Sequence, residues 1–388
     1  MSRKNKGYKI PKYDRIFDSS SHRKKRKVKN TIIFVVVLLL LVFVGYSISG
    51  PLANLFKGEK TERPSSSQIS STASKNDTSS SISQNEQTNK IDRLSAVYLP
   101  LETAKDQAAL NQFLDNIKSK GYNAVVLELK DEVGKIYYKS NNEMATNVEA
   151  ISDTAIENLS EIVKTIKDAS VVPTAQIHAF KDRIATKNAD AKIKYKGNAA
   201  WSWLDAENGK PWLNPYSESA RKYIIDLSCE LTELGFENIM VSSVMFPPVY
   251  SYSLADFGEI EKTVSHKDIL SQFTADLKKA VNNKKANLIL NYDLSLSQDA
   301  ENKTYGTADA KTFDADIYAA DITSAHLAAT ENEDGTVGES ALDKFIASFE
   351  NKDKVMIKMS AENVQDASAL KEACKECSLY LSAKTQIF

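Results

Sequence analysis

The chain has 388 residues, 42% of them hydrophobic, enough for a large core in one domain or two. Its net charge of -1 is polarised: residues 1–30 hold twelve Lys or Arg against Asp14 and Asp18, a charge of +10, so the remainder carries -11. That acidic body excludes nucleic acid as its partner, and three cysteines, an odd number, argue against a disulfide scaffold.

In chain order, the first element is the basic stretch RKKRKVKN, which runs directly into an uncharged apolar segment from Ile32 to Ile48. Seventeen helical residues span about 26 Å, close to the hydrocarbon thickness of a bilayer. The sequence therefore predicts a transmembrane helix over 31–49 in contact with membrane lipid. The positive-inside bias places the basic segment 1–30 in the cytoplasm and the rest outside the membrane of a bacterial cell. A cleaved signal peptide is the rival reading; the long basic leader and the lack of a clear A-x-A site favour an uncleaved anchor. The basic cluster reads as a topology determinant beside anionic lipid rather than a nucleic-acid site. Residues 50–90, and above all the Ser-, Thr-, Asn- and Gln-rich stretch 64–89, cannot bury enough apolar surface to order themselves and read as a flexible linker.

From 91 to 388 a short β-branched run alternates with an amphipathic segment. The runs are LSAVYLP (94–100), NAVVLELK (123–130), VVPTAQIHAF (171–180), NIMVSSVMF (238–246), ANLILNYDL (286–294), ADIYAADIT (315–323), KVMIKMS (354–360) and SLYLSAK (378–384). Between them the 3.6-residue period predicts helices over 106–121, 154–169, 217–235, 266–283 and 366–377. Eight strands with crossover-length connections predict a parallel (β/α)8 TIM-like barrel, with a doubly wound open sheet as the alternative. No glycine-rich nucleotide motif follows any strand, so no cofactor is expected.

Active sites of such barrels lie at the C-terminal strand ends. Those ends supply Glu128, Lys130 and Asp131; Gln176, His178, Lys181 and Asp182; Ser242, Ser243 and Met245; Asn291 and Asp293; Asp321 and His326; and Lys358 and Glu362. Simple alternation puts Glu128 and Lys130 on one face, and Gln176 with His178 on another. Glycosidic hydrolysis needs two carboxyl groups, one protonated and one ionised.

The segment VYLPLETAKDQAALNQFLDNIKSKGYNAVVLELKDEVGKIYYKS, then AQIHAFKDRIATKN and WSWLDAENGKPWLNPYSESARKYIIDLSCELTELGFENIMVSSVMFPP, resembles the glycoside-hydrolase-like barrel domain of bacterial surface proteins, a relative of the amylase-like barrels. The resemblance covers most of 94–248 and rests on K-D-x-x-G, F-K-D, W-x-N-P-Y and G-F-x-x-I…F-P occurring together. Lys130, Asp131, Gly134, Phe180, Lys181 and Asp182 match the family. Glu128 stands where the family usually has Asp, and Gln176 where it has Arg. Its fourth strand normally ends Phe-Asp-Tyr-Val-Arg-Phe-Pro; here Ser242 replaces the Asp and Met245 the Arg.

The resemblance implies a carbohydrate-active barrel with altered chemistry. A serine hydroxyl cannot replace the missing carboxylate, and no G-x-S-x-G elbow surrounds Ser242 or Ser243 to suggest a serine hydrolase. The leading expectation is a catalytically degenerate barrel that binds a cell-wall glycan or polysaccharide, or a surface protein. The alternative is a divergent glycosidase with Glu128 or Asp131 as one carboxyl group and Asp293 or Asp321 as the other. Lys130, His178, Lys181, Asp182, Trp201, Trp203 and Asn214 are the expected substrate-binding residues, each weighed against a structural role: strand-end salt bridges for the charges, loop anchors for the aromatics including Trp212. No cluster has metal-ligand spacing. Cys374 and Cys377 form CKEC late in a predicted helix, which fits a local disulfide or partly buried thiols better than redox catalysis, and Cys229 is expected to be buried in its helix.

Overall fold

The computed structural model describes residues 93–382 apart from 206–207, 250, 298–302, 328–337, 361–367, 369–370 and 373–374. The segments expected to form a basic leader, a membrane span and a flexible linker lie outside the described residues, as do Glu362 and most of the predicted 366–377 helix with Cys374. Among the described residues no helix is long and apolar enough to cross a membrane.

Eight parallel strands form the centre: β1 Ser95–Tyr98, β2 Ala124–Lys130, β3 Val172–His178, β4 Asn238–Ser242, β5 Asn287–Asp293, β6 Ile317–Ile322, β7 Val355–Met359 and β8 Ser378–Leu381. Each pairs with the next, and β8 pairs with β1 through Ser95↔Leu379 to Val97↔Leu381. That last pairing closes the barrel and rules out the open doubly wound sheet, which would leave two free edges.

Period-two alternation sorts the strand residues into two cores. Leu94, Ala96, Ala124, Val126, Met240, Ile289, Ile317, Ala319, Met356 and Tyr380 fill the barrel interior, small alanines opposite longer chains. Val97, Val125, Leu127, Ile239, Val241, Leu288 and Ile357 point the other way into the layer beneath the helices. Strands buried on both faces have to be apolar throughout, hence the unbroken runs in the sequence.

Four of the helices packed around the barrel start where side-chain caps take up free N–H groups. Asp106 caps α1 (Gln107–Ser119), Ser217 caps α3 (Glu218–Glu233) and Ser265 caps α4 (His266–Asn283). Between α1 and α3 lies α2 (Leu159–Asp168), which buries Leu159, Val163 and Ile166 at helical spacing. A reciprocal Ser340–Asp343 capping box opens α5 (Ala341–Ala347). The helix predicted over 154–169 therefore begins later than expected. Residues Ile151–Ile156 instead form a strand beside Ile136–Tyr138, with Ile136 opposite Ile151. An insertion after β3 supplies Lys194–Tyr195 and Asn198–Ser202, which form a small antiparallel sheet with Ala255–Asp256 from the segment after β4.

Candidate active site at the barrel mouth

The alternation that fills the interior also decides what crowns it. Two residues beyond the apolar plug, β2, β4, β5, β6 and β7 present Glu128, Ser242, Asn291, Asp321 and Lys358 inward. Gln176 from β3 joins them: its Nε2 donates to Ser242 Oγ at 3.4 Å, and Tyr380 OH donates to its Oε1 at 3.4 Å. Lys358 Nζ lies 2.6 Å from Asp321 Oδ2, which also accepts from Asn291 Nδ2 at 3.4 Å. Asn291 Oδ1 is buried with no hydrogen-bond partner among the described residues.

Burial pushes the Tyr380 phenol well above its ordinary range, and the nearby Glu128 carboxylate, Tyr98 and the Asp321 carboxylate push it further. Burial and Glu128 likewise raise Tyr98. Both phenols remain hydrogen-bond donors at neutral pH, and Glu128 and Asp321 both act on one ring. His178 closes β3: its Nε2 is 3.2 Å from Glu128 Oε1, and its Nδ1 is 2.9 Å from Ser243 Oγ.

Lys130 does not share the face of Glu128. The β2–β3 register runs Glu128↔Gln176 and then Lys130↔Ile177, a shift that breaks the alternation and turns Lys130 outward. There it is fully buried, its ammonium 2.8 Å from Asp182 Oδ2, 2.6 Å from the His178 carbonyl oxygen and 5.8 Å from the centre of the Tyr223 ring on α3. Asp182 Oδ1 accepts the Ala185 N–H at 2.7 Å. Gly134 has φ of +99°, and a Cβ there would stand 1.9 Å from Asp182 Oδ1. Asp131 holds the same turn by accepting from the N–H groups of Val133 and Lys135 and from Tyr137 OH, at 3.0, 2.8 and 2.7 Å. The K-D-x-x-G and F-K-D motifs thus meet in one buried joint under the His178 end of β3.

The other expected residues are dispersed. Asp293 caps the short helix Leu294–Ser297 by accepting the Leu296 N–H at 3.0 Å. Asn214 is buried, joining the Tyr216 N–H to the Phe257 carbonyl. Trp203 packs edge-on against Tyr252, and buried Trp212 donates Nε1–H to Asp205 at 2.9 Å. Trp201 is 64% exposed on the insertion sheet beside Tyr195. Lys181 pairs with Glu132 at 2.5 Å, and that hydrogen bond holds the Glu132 carboxyl below its usual range. Both line a cleft of about 260 Å³ with Arg183, Asp205, Lys210 and Trp212. Met245 is buried in the core beneath the helices. Cys377 is a buried free thiol raised by burial, and Cys229 is only half-buried. Among the described residues no group of three or more His, Cys, Asp or Glu could hold a metal ion.

The sequence reading missed Tyr98 and Tyr380 as mouth residues. Both share parity with interior positions of β1 and β8, so carrying the alternation through those two strands would have found them.

A closed parallel barrel crowned at its C-terminal mouth by carboxylates, amides and a cation is a barrel of the glycoside-hydrolase-like class. Residues 96–301 match the family described as "Putative glycosyl hydrolase domain", and the chain belongs to that family. Among solved structures, the glycoside hydrolase domain of PgaB (BpsB) from Bordetella bronchiseptica is similar with a TM-score of 0.51 and 14% identity, over 75% of this chain and 93% of that one. A hypothetical protein from Ruminiclostridium thermocellum is 23% identical over 50% of this chain and 96% of its own, with a TM-score of 0.43. The glycoside hydrolase domain of PelA from Pseudomonas aeruginosa is 14% identical over 76% and 96%, with a TM-score of 0.40. No curated protein matches the sequence.

Proposed function

We propose that the chain is a membrane-anchored, extracytoplasmic barrel that binds a cell-surface glycan at its mouth and has lost glycosidic acid–base chemistry. The observation that carries this reading is the end of β4. Ser242, 2% exposed, lies on the floor beside Gln176, and β4 sends no carboxylate or guanidinium into the mouth. The remaining groups suit a hydroxyl-rich ligand: the partly exposed Tyr98 phenol, the Lys358 ammonium, and the unpartnered Asn291 carbonyl oxygen. Exposed Trp201 offers a ring face for stacking. The apolar segment 31–49 would anchor the domain in the bacterial membrane with the barrel outside, and a surface protein is the other ligand class compatible with this placement.

A divergent glycosidase is the second reading, favoured by one observation: β2 and β6 turn two carboxylates, Glu128 and Asp321, inward at the same mouth. Calorimetric titration of the full chain against a panel of cell-wall polysaccharides tests the first reading. Saturable binding weakened by Asn291→Ala supports it, and no binding across the panel points to protein assembly. Protease added to intact wall-stripped cells tests orientation, since the proposal requires the barrel to be digested.

A further inference from the structure

From the side chains at the ends of β2, β3 and β4 we infer a second chemistry, acyl transfer through a Ser243–His178–Glu128 relay acting on a carboxylic ester. Ser243 Oγ lies 2.9 Å from His178 Nδ1, and His178 Nε2 lies 3.2 Å from Glu128 Oε1. This is the order nucleophile, base, orienting carboxylate that activates a serine hydroxyl. With Nε2–H donated to Glu128, the imidazole carries its lone pair on Nδ1, facing the hydroxyl. All three groups reach solvent: the His178 and Glu128 side chains are 14% and 27% exposed, and Ser243 is half-buried.

The backbone holds this geometry. Ser243 has φ of +56°, a left-handed conformation that a serine adopts at a cost of about 1–3 kcal/mol. Strand β3 grips both sides of it: Ala179 N–H donates to Ser242 O at 2.8 Å and Phe180 N–H to Ser243 O at 3.1 Å. Lys130, neutralised by Asp182, holds the His178 carbonyl from behind at 2.6 Å, which makes it a positioning residue. A serine held in a left-handed backbone just after a parallel strand, with its hydroxyl against a histidine on the neighbouring strand, has the base it needs to act as a nucleophile.

In the reaction Ser243 Oγ attacks the ester carbonyl carbon while His178 Nδ1 takes the hydroxyl proton. The carbon–oxygen bond to the alcohol breaks as His178 returns that proton to the leaving oxygen. Water, deprotonated by His178, then attacks the acyl-serine, and that proton returns to Ser243 as the carboxylic acid leaves and ionises in solvent. No co-reactant besides water is needed.

The test uses the full chain with p-nitrophenyl acetate and a fluorophosphonate probe, neither of which depends on glycan binding, so a failed glycan titration leaves it untouched. The expected result is phosphonylation mapped to Ser243, together with ester turnover above the uncatalysed rate. Ser243→Ala should lower turnover roughly a hundredfold or more. Glu128→Gln should lower kcat with KM little changed. Ser243→Gly, which suits the left-handed backbone, serves if the alanine variant does not fold. Absence of labelling, or labelling and turnover that persist in a folded Ser243 variant, overturns the proposal.

Discussion

Replacing Lys130 by Met probes the joint on which the mouth rests. Lys130 and Asp182 have no exposed side-chain surface and lie 2.8 Å apart, so the substitution leaves a carboxylate buried without its cation. Removing one partner of such a pair costs about 3–5 kcal/mol, most of it the desolvation of the charge left behind. The lost hydrogen bond to the His178 carbonyl adds to the same direction. Against a total stability of roughly 5–15 kcal/mol this is a large fraction. Lys130→Met/Asp182→Leu removes both charges and leaves the Ala185 N–H and the His178 carbonyl oxygen without these partners, at about 1–3 kcal/mol each. The double variant should therefore lose less than the sum of the two singles by roughly 2 kcal/mol or more. Urea unfolding followed by fluorescence of the buried Trp203 and Trp212 reads these values. A loss below about 1 kcal/mol for Lys130→Met, or strict additivity in the double variant, would refute the reasoning.

Gly134→Ala should lower stability by roughly 3 kcal/mol, because its Cβ collides with Asp182 Oδ1 at 1.9 Å and its φ of +99° disfavours any side chain; an unchanged melting temperature would contradict this. His266 stacks on Phe246 with centroids 3.7 Å apart, and burial lowers its pKa below the ordinary 6.5. The unfolded chain therefore binds this proton first, so its contribution to stability is intact above pH 6.5 and falls as pH drops toward the depressed native value. His266→Phe should flatten that part of the stability curve, and an unchanged slope would assign it elsewhere. Trp201→Ala should leave stability within about 0.5 kcal/mol. It should also weaken glycan binding up to about tenfold, a stacking loss of roughly 0.5–1.5 kcal/mol, and titration of both proteins checks the pair of expectations.

The barrel was legible because parallel strands buried on both faces leave apolar stretches such as AVVL (124–127) and IMV (239–241), and because α1, α3 and α4 begin at Asp106, Ser217 and Ser265. The start of α2 was misplaced because residues 151–156 satisfy a helical period as well as a strand, and pairing with Ile136–Tyr138 decides between them. The face of Lys130 was unreadable for a similar reason: the bulge that turns it outward exists only in the β2–β3 register. Ser242 could be placed on the mouth floor by counting along β4. Ser243 could not be tied to His178 and Glu128, since those contacts span 65 and 50 residues of chain and depend on the left-handed turn after β4.

The central claim, a glycan-binding mouth without glycosidic chemistry, is tested most directly by incubating the full chain with each polysaccharide it binds and counting new reducing ends, with Glu128→Gln and Asp321→Asn in parallel. The account predicts saturable binding and no reducing ends above background in any of the three proteins. New reducing ends formed by the unaltered chain and abolished in either amide variant would contradict it and establish a divergent glycosidase.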